Sequence, residues 1–272
     1  WFGLKYNMNL YRGCQHRCIY CDSRSECYGV DHFDTAIHVK ANAIERLRDE
    51  ISRKRVKGLI GTGSMNDPYM PLERKRMLTG AALEAIAEFG FPVHVLTKSD
   101  LALRDVAIFQ EIHRRTRAVV SFTLTTADDD LAAKVEPYAP RPSARFEALR
   151  KLAEAGIETG VMLMPVLPFI EDTEENMTAI VERAVDGGAR HVVASFGLTM
   201  RDRQRAYFYA QLDRQFPGLR QRYARTYGDA YSCQSPRAGR LYALFNVLKA
   251  RHGFDDRVRP YQAVEAEQLS LF

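Results

Sequence analysis

The feature that most limits this fold is an alternation. Short β-branched or apolar runs take turns with segments of helical period across the first two hundred residues. After an opening run near Tyr6 to Tyr11, a helical stretch sets Ala43, Leu47 and Ile51 on one face, and the run Gly58 to Thr62 follows. The pattern then predicts a helix from Glu73 to Phe89, a strand from Val93 to Thr97, a helix from Val106 to Arg115 and a strand from Ala118 to Thr125. Further on it predicts a helix from Ser143 to Ala155, a strand from Thr159 to Met164, a helix from Thr173 to Asp186 and a strand from His191 to Phe196. Asp105 and Ser143 stand at N-cap positions, while Gly90, Gly156 and the pair Gly187 and Gly188 stand where helices should stop. Strands joined through helices pair in parallel with right-handed crossovers, so the chain is expected to be α/β, either an open doubly wound sheet or a partial barrel. In both, chemistry gathers at the C-terminal ends of the strands. From about Thr199 the alternation gives way to helices only, through Lys249, and an extended tail begins at Pro260. The expected division is residues 1–198 as the repeating unit, 199–259 as a helical extension and 260–272 as the tail.

Composition narrows the class. With 46% apolar and 27% charged residues the chain is globular, which excludes disorder and fibres. The longest apolar reach, Gly160 to Ile170, is broken by Pro165 and Pro168, so no membrane span is expected. The sequence opens on Trp1 and not Met, and a preceding segment is expected. Five cysteines, three of them between Cys14 and Cys21, do not form a secreted disulfide framework; a reducing cytoplasm with a metal or cluster site fits better. The net charge of +5 is matched by one segment alone, Arg201 to Arg225, with seven arginines against Asp202 and Asp213. Tyr207, Phe208, Tyr209, Phe216, Tyr223 and Tyr227 are interleaved with these arginines. Such a composition can grip phosphates and stack on bases, or it can be an amphipathic helix pair with a solvated basic face.

Directly after the first strand comes Cys14-Gln-His-Arg-Cys18-Ile-Tyr-Cys21. Three thiolates within eight residues can hold three irons of a cubane cluster and leave the fourth iron open to a substrate or cofactor. A zinc site completed by His16 or Cys27 is the alternative, since zinc takes four ligands. The spacing, the aromatic residue before the last cysteine and the place at the end of the first strand favour the cluster. These residues resemble the radical S-adenosylmethionine (SAM) enzymes, whose signature is this motif on a partial (βα)6 barrel of the TIM type. Asn9-Leu-Tyr-Arg-Gly-Cys14, Gly63-Ser-Met-Asn-Asp-Pro-Tyr69, Thr97-Lys98-Ser99 and Met164-Pro-Val-Leu-Pro168 are similar to the spore photoproduct lyase-like branch, over about Asn9 to Leu198.

The resemblance implies that Cys14, Cys18 and Cys21 ligate a [4Fe-4S] cluster whose open iron chelates SAM, with Tyr20 near the adenine. It places Ser64 and Asp67 at the SAM amino group and Lys98 at its carboxylate, with Ser121 and Arg145 as further contacts. It also implies SAM cleavage to methionine and a 5′-deoxyadenosyl radical that takes hydrogen from the substrate, and an electron donor such as flavodoxin or ferredoxin. Two departures bear on the reaction: Asp22 follows the third cysteine where lyases proper carry an aromatic residue, and Ser64 stands where they carry a hydrogen-donating cysteine. Cys27 and Cys233 are the remaining thiols, and Cys233, in Tyr231-Ser-Cys-Gln, could donate hydrogen if its segment covers the mouth, or could be a buried structural cysteine. Gly58-Leu-Ile-Gly61-Thr-Gly63 lacks the third glycine of a dinucleotide fingerprint, and the triplet Asp128 to Asp130 reads as the cap of a short helix. The seven histidines show no pair at ligand spacing and receive no role.

The last residues, Gln268-Leu-Ser-Leu-Phe272, resemble the peptide by which bacterial polymerases and repair factors dock on the DNA sliding clamp; the alternative is a tail packed on its own barrel. The expected function is therefore a cytoplasmic radical SAM enzyme acting on nucleic acid, DNA first. Modification of RNA or a peptide is the alternative, and a zinc-stabilised nucleic-acid-binding module without catalysis is the reading from another class.

Overall fold

The computed structural model describes residues 2–262, so Gln268 to Phe272 lie outside the described residues. The chain begins with strand β1 (Tyr6–Met8) and the short ribbon of β2 (Tyr11–Arg12) and β3 (His38–Val39), followed by α1 (Ala43–Ser52). Then come β4 (Ile60–Thr62), α2 (Glu73–Arg76), α3 (Leu78–Glu88), β5 (Val93–Thr97), α4 (Val106–Arg115), β6 (Ala118–Thr123), α5 (Asp129–Val135) and α6 (Pro142–Glu154). The series closes with β7 (Glu158–Leu163), α7 (Glu174–Asp186), β8 (His191–Ala194), β9 (Gly197–Thr199), α8 (Asp202–Gln215), α9 (Leu219–Tyr227), β10 (Ser232–Gln234) and α10 (Ala238–His252).

Strands β1, β4, β5, β6, β7 and β8 form one parallel sheet in that order, so each strand lies beside the next one of the series and a helical crossover covers the outside. This is the partial TIM-type barrel expected from the alternation. All six residues of β6 are buried, which is why the run carries small and apolar residues with only the hydroxyls of Ser121 and Thr123, and no charged alternation. The main core lies between the strands and the surrounding helices, with Phe109, Ile112, Leu149, Leu152, Ile180 and Val181 facing Val93, Val95, Val120 and Val161.

Local chemistry corrects several expected boundaries. The helix expected from Glu73 to Phe89 is broken at Met77, whose φ of 52° ends α2 and starts α3. Ser143 does not cap α6: Arg141 is the N-cap, Pro142 opens the helix, and the Ser143 hydroxyl donates to Asp129. Asp105 does stand at the N-cap of α4, but its side chain makes no capping bond, because its carboxylate accepts from the Tyr69 hydroxyl and from Arg104. Asp128 does cap α5, accepting from the amides of Asp130 and Leu131. The region expected to be all helix contains β10, which pairs antiparallel with β9 and was too short to read. Helix α10 places Ala238, Leu241, Phe245 and Leu248 in the same core as α7, so the extension shares the barrel's outer layer. Among the described residues no helix is long and apolar enough to cross a membrane.

Inside the barrel the structure brings together two histidines that spacing could not pair. The Ser121 hydroxyl lies 2.8 Å from His94 Nε2 and 2.9 Å from His191 Nε2, and all three residues are buried. Gly160 makes room for them, since a Cβ there would sit 2.0 Å from His191 Nε2. Burial holds both imidazoles far below the ordinary range, His94 at about 3, helped by the neighbouring His191, and His191 at about 4. Unfolded histidine takes up its proton near pH 6.5, so between that pH and about 4 the unfolded state binds more protons than the folded one. Stability is therefore complete above that window and falls with acidification by about 1.4 kcal/mol per pH unit for each histidine. Urea titrations from pH 7 to 4.5 should show this slope, and His191→Gln should halve it; an unchanged slope in the variant would remove the pair as its source.

Candidate active site

The cysteine loop leaves β2 through Gly13, whose φ of 88° and 2.6 Å approach to the Phe33 carbonyl exclude any Cβ. Main-chain bonds then hold the loop on several elements. The Cys14 amide donates to the Phe33 carbonyl (2.9 Å), the Ile19 amide to the Val135 carbonyl (2.9 Å), and the Leu72 amide to the Gln15 side chain (2.7 Å). Cys14, Cys18 and Cys21 consequently line one cavity of about 120 Å³, together with Ser64, Thr97, Lys98 and Thr123 from the ends of β4, β5 and β6. Burial, with the Asp67 carboxylate and the Cys21 thiol nearby, pushes the Cys14 thiol up to about 12, and burial raises Cys18 and Cys21 as well. Three such thiols become thiolates only against a strong positive centre.

The donor set fits an iron–sulfur cubane and not zinc. His16 hydrogen-bonds the Tyr138 carbonyl through Nδ1 (3.2 Å) and turns Nε2 to the Asp67 carboxylate, at 3.1 Å. Cys27 is exposed, with its thiol 3.1 Å from Arg201. Among the described residues no three His, Cys, Asp or Glu side chains converge at the spacing of a single metal ion. Three cysteines on one cavity, with no fourth protein ligand, match a cluster that keeps one iron for a cofactor.

The expected cofactor contacts divide. Lys98 and Ser64 line the cavity. Burial opposes the Lys98 charge, but Cys18 and Glu136 outweigh it and hold the ammonium above its ordinary range. Ser64 exchanges hydrogen bonds with the Asn7 side chain. Asp67 also borders the cavity, yet its carboxylate is already filled: Oδ1 accepts from the Tyr69 amide (2.8 Å) and the Thr97 hydroxyl (2.6 Å), and Oδ2 from the Lys98 amide (2.6 Å). It therefore positions the site and does not offer a free acceptor to an amino group. Tyr20 is buried with its hydroxyl on Glu136. Arg145, 1% exposed, is directed away from the cavity, into Glu136 at 2.5 Å and the carbonyls of Thr123 and Pro140. Ser121 lies deeper in the barrel, between the two histidines, and Thr123 from the same strand stands at the cavity in its place.

Beside this cavity opens a second one of about 500 Å³, the mouth of the barrel, lined by Tyr20, Asp22, Ser195, Ser232, Gln234 and Tyr242. The alternation of β10 decides which way Cys233 faces. Ser232 and Gln234 are exposed toward the mouth, while Cys233 is fully buried against Leu198, Phe208 and Tyr223. A hydrogen-donor role for Cys233 is thereby replaced by a structural one. Sequence reading missed Glu136 and Glu171. Burial lifts the Glu171 carboxyl to about 8, although the Leu167 amide and Thr125 hydroxyl donate to it.

The arginine segment is split by use. Arg203 donates to the carbonyls of Arg24 and Val30 and pairs with Asp31, clamping the stretch after the cysteines onto α8. Arg205 donates to the carbonyls of Met200, Gly228 and Ala230, and Arg201 reaches Tyr231 and Cys27. Phe208 and Tyr223 are core residues and Tyr207 lies under Arg24, so half of the six aromatic residues are not stacking platforms. Arg220, Arg222 and Arg225 are exposed on α9; Arg220 pairs with Asp213 at 2.7 Å, and Arg222 stacks at 3.9 Å over Phe169, in the loop that follows β7.

Comparison with known proteins agrees with this geometry. The family model described as Radical SAM superfamily matches residues 8–184. An uncharacterized protein of Mycobacterium tuberculosis is 33% identical over 229 residues, covering 82% of this chain and 67% of its own length. Spore photoproduct lyase complexed with dinucleoside spore photoproduct is similar in fold, with a TM-score of 0.66, 14% identity and coverage of 93% of this chain and 75% of that one. A Streptococcus suis protein bound to its precursor peptide has a TM-score of 0.51, 14% identity and coverage of 71% and 39%. Replacing Cys14, Cys18 or Cys21 by Ala should abolish iron and sulfide incorporation under anaerobic reconstitution, whereas Cys27→Ala should retain about four irons per chain. Retention of the full iron complement by Cys14→Ala would refute the ligand assignment.

Proposed function

The chain belongs to the radical SAM superfamily, and from that premise we propose that this radical SAM enzyme acts on nucleic acid held at the barrel mouth. The observation that carries the reading is the exposed pair Arg222 and Arg225 of α9, of which Arg222 stacks over Phe169 in the loop whose first residues, Met164 and Pro165, line the mouth. Phosphates held there would lie beside the 500 Å³ mouth, whose Ser232, Gln234 and Ser195 side chains offer hydrogen-bonding groups. The dinucleoside held by the structurally similar lyase supports the same substrate class.

Cys14, Cys18 and Cys21 would hold a [4Fe-4S] cluster, and Lys98 and Ser64 would face SAM. Bound there, cluster and SAM would supply one-electron cleavage and hydrogen-atom abstraction. The protein's own part is binding and exclusion of water. Lys98 offers an ammonium that reaches no carboxylate within 4.0 Å among the described residues, which suits a SAM carboxylate. Tyr20, fixed by Glu136, lines the mouth, and its ring lies 5.8 Å from the Lys98 ammonium that borders the cavity. Among the described residues the mouth has no thiol, so a cysteine relay of the lyase kind is not part of the proposal.

Lys98→Ala should weaken SAM binding about 10- to 100-fold while leaving iron content intact, because a charge-assisted contact is worth roughly 1.5 to 3 kcal/mol. Unchanged SAM affinity would take Lys98 out of the site. Affinity for a generic oligonucleotide should fall steeply with salt, and Arg220→Ala, Arg222→Ala and Arg225→Ala together should flatten the slope by about 0.7 to 0.9 for each phosphate that is no longer neutralised. Binding that is absent, or indifferent to salt and to the triple variant, would sink the nucleic-acid reading.

A further inference from the structure

We propose that the groove between the free edge of β1 and helix α1 is a docking site for an extended acidic polypeptide, which adds there as a strand. This goes beyond the catalytic reading, because the groove lies on the outer edge of the sheet and is separate from the mouth.

The groove has a volume of about 680 Å³ and is lined by the residues of β1 and by one face of α1. Strand β1 ends the sheet order, so among the described residues one of its edges has no strand beside it. The Tyr6 amide donates to the Leu59 carbonyl on the paired side, and in a parallel ladder successive residues turn their main-chain groups to opposite sides. The amide and carbonyl of Asn7 therefore face the groove. At the other end of the sheet the edge of β8 is different, for Asp255 bridges to His191 and takes the Val192 amide. Among the described residues the bare edge of this sheet is thus that of β1, where an added strand finds free donors and acceptors.

Charge says what kind of strand. Lys5, Lys40, Arg46 and Lys54 line the groove against Glu50 alone. None of these four cations reaches a carboxylate within 4.0 Å among the described residues. Two other cations show the contrast: Arg48 of α1 pairs with Glu88 at 2.5 Å, and Arg53, just past the helix end, pairs with Asp49 at 2.5 Å. Elsewhere cations of this helix are neutralised; along the groove they are left for an anionic partner.

A nucleic-acid backbone also carries negative charge, but its phosphates supply acceptors only. Asn9 Oδ1, which borders the groove, is buried and has no donor, and the Asn7 carbonyl on the free edge needs one as well. A peptide N–H meets both needs and a phosphate meets neither. The ten residues of α1 run about 15 Å, enough for four or five extended residues.

The test is fluorescence anisotropy of the full chain with a labelled octapeptide of alternating glutamate and valine. Saturable binding is expected, weakened at least about tenfold by Arg46→Glu with Lys54→Glu and about as much by N-methylation of alternate residues of the peptide. Asn9→Leu, which removes the orphan acceptor without altering charge, should weaken it less but measurably. If the reversed pair fails to fold, Arg46→Gln with Lys54→Gln gives the same reading. No saturable binding, or binding indifferent to N-methylation, would overturn the proposal. So would an oligothymidylate that outcompetes the peptide and shows the same variant losses, which would give the groove to nucleic acid. Peptide binding that appears only after removal of residues 263–272 would assign the groove to the chain's own end and overturn it too.

Discussion

The active end of this molecule depends on one buried carboxylate. Asp67, in the loop after β4, accepts from its own loop at Tyr69, from the end of β5 at Thr97 and Lys98, and lies against His16 of the cysteine loop. Burial works against its charge, but His16, Thr97 and the Lys98 amide outweigh burial and hold the carboxyl well below the ordinary range. Three hydrogen bonds and the facing imidazole of His16 surround its two oxygens, the condition under which a buried charge is tolerated. The result is geometric: two strand ends and the loop with three cysteines are fixed relative to one another before any cofactor arrives. Gly63 permits the close approach, since a Cβ there would lie 2.1 Å from the Leu96 carbonyl oxygen.

A second network supplies the charge. Glu136, at the end of α5, takes the Tyr20 hydroxyl and the Arg145 guanidinium, and it is held below its usual range by Arg145 and Lys98 despite burial. Arg145 is consumed by this pairing and by two carbonyls, which leaves Lys98 as the cation in surplus. A cluster ligated by thiolates and an anionic cofactor group would both find that surplus useful, so Arg145 and Glu136 serve the site by setting what remains for Lys98. This is why Arg145, at a position where the resemblance implied a contact, is a support, while Lys98 keeps its ammonium on the cavity.

The legible part of the fold was the part with period and length. Strands β5, β6 and β7 and helices α4, α6 and α7 appear within a few residues of where their patterns put them, because buried parallel strands and amphipathic helices have strong, local signatures. The cysteine motif was equally local. What could not be read was orientation. Cys233 and its neighbours differ only by one step of a three-residue strand, yet that step sends Ser232 and Gln234 to the mouth and Cys233 to the core. Ser121 and Thr123 stand two residues apart on one strand at different depths, and only the deeper one meets His94 and His191, which are 97 positions apart in sequence and touch through register alone. The broken helix at Met77 gave no warning, because a left-handed methionine has no compositional mark.

The arginine-rich segment shows why net charge is a poor guide to what charge does. Its seven arginines account for the chain's whole excess, yet Arg203 and Arg205 are spent on backbone carbonyls, and Arg201 lies against Asp22, Tyr231 and Cys27. A guanidinium carries five donors in a planar fork, so one arginine can close several orphan carbonyls at once, which lysine cannot do. Helix α8 uses that property to hold the stretch after Cys21, with Asp202 accepting from Ser25 and Glu26 and Gln204 donating to the Tyr20 carbonyl. Asp22, one residue past the last cysteine, accepts in turn from Thr199 on β9, whose partner β10 borders the mouth. Asp22, which departs from the lyase pattern, therefore links the wall of the 500 Å³ mouth to the cysteine loop. An aromatic side chain at position 22 has no pair of carboxylate oxygens for the two hydroxyl donors, Thr199 and Tyr28, so the substitution belongs with the β9–β10 pair as one structural unit.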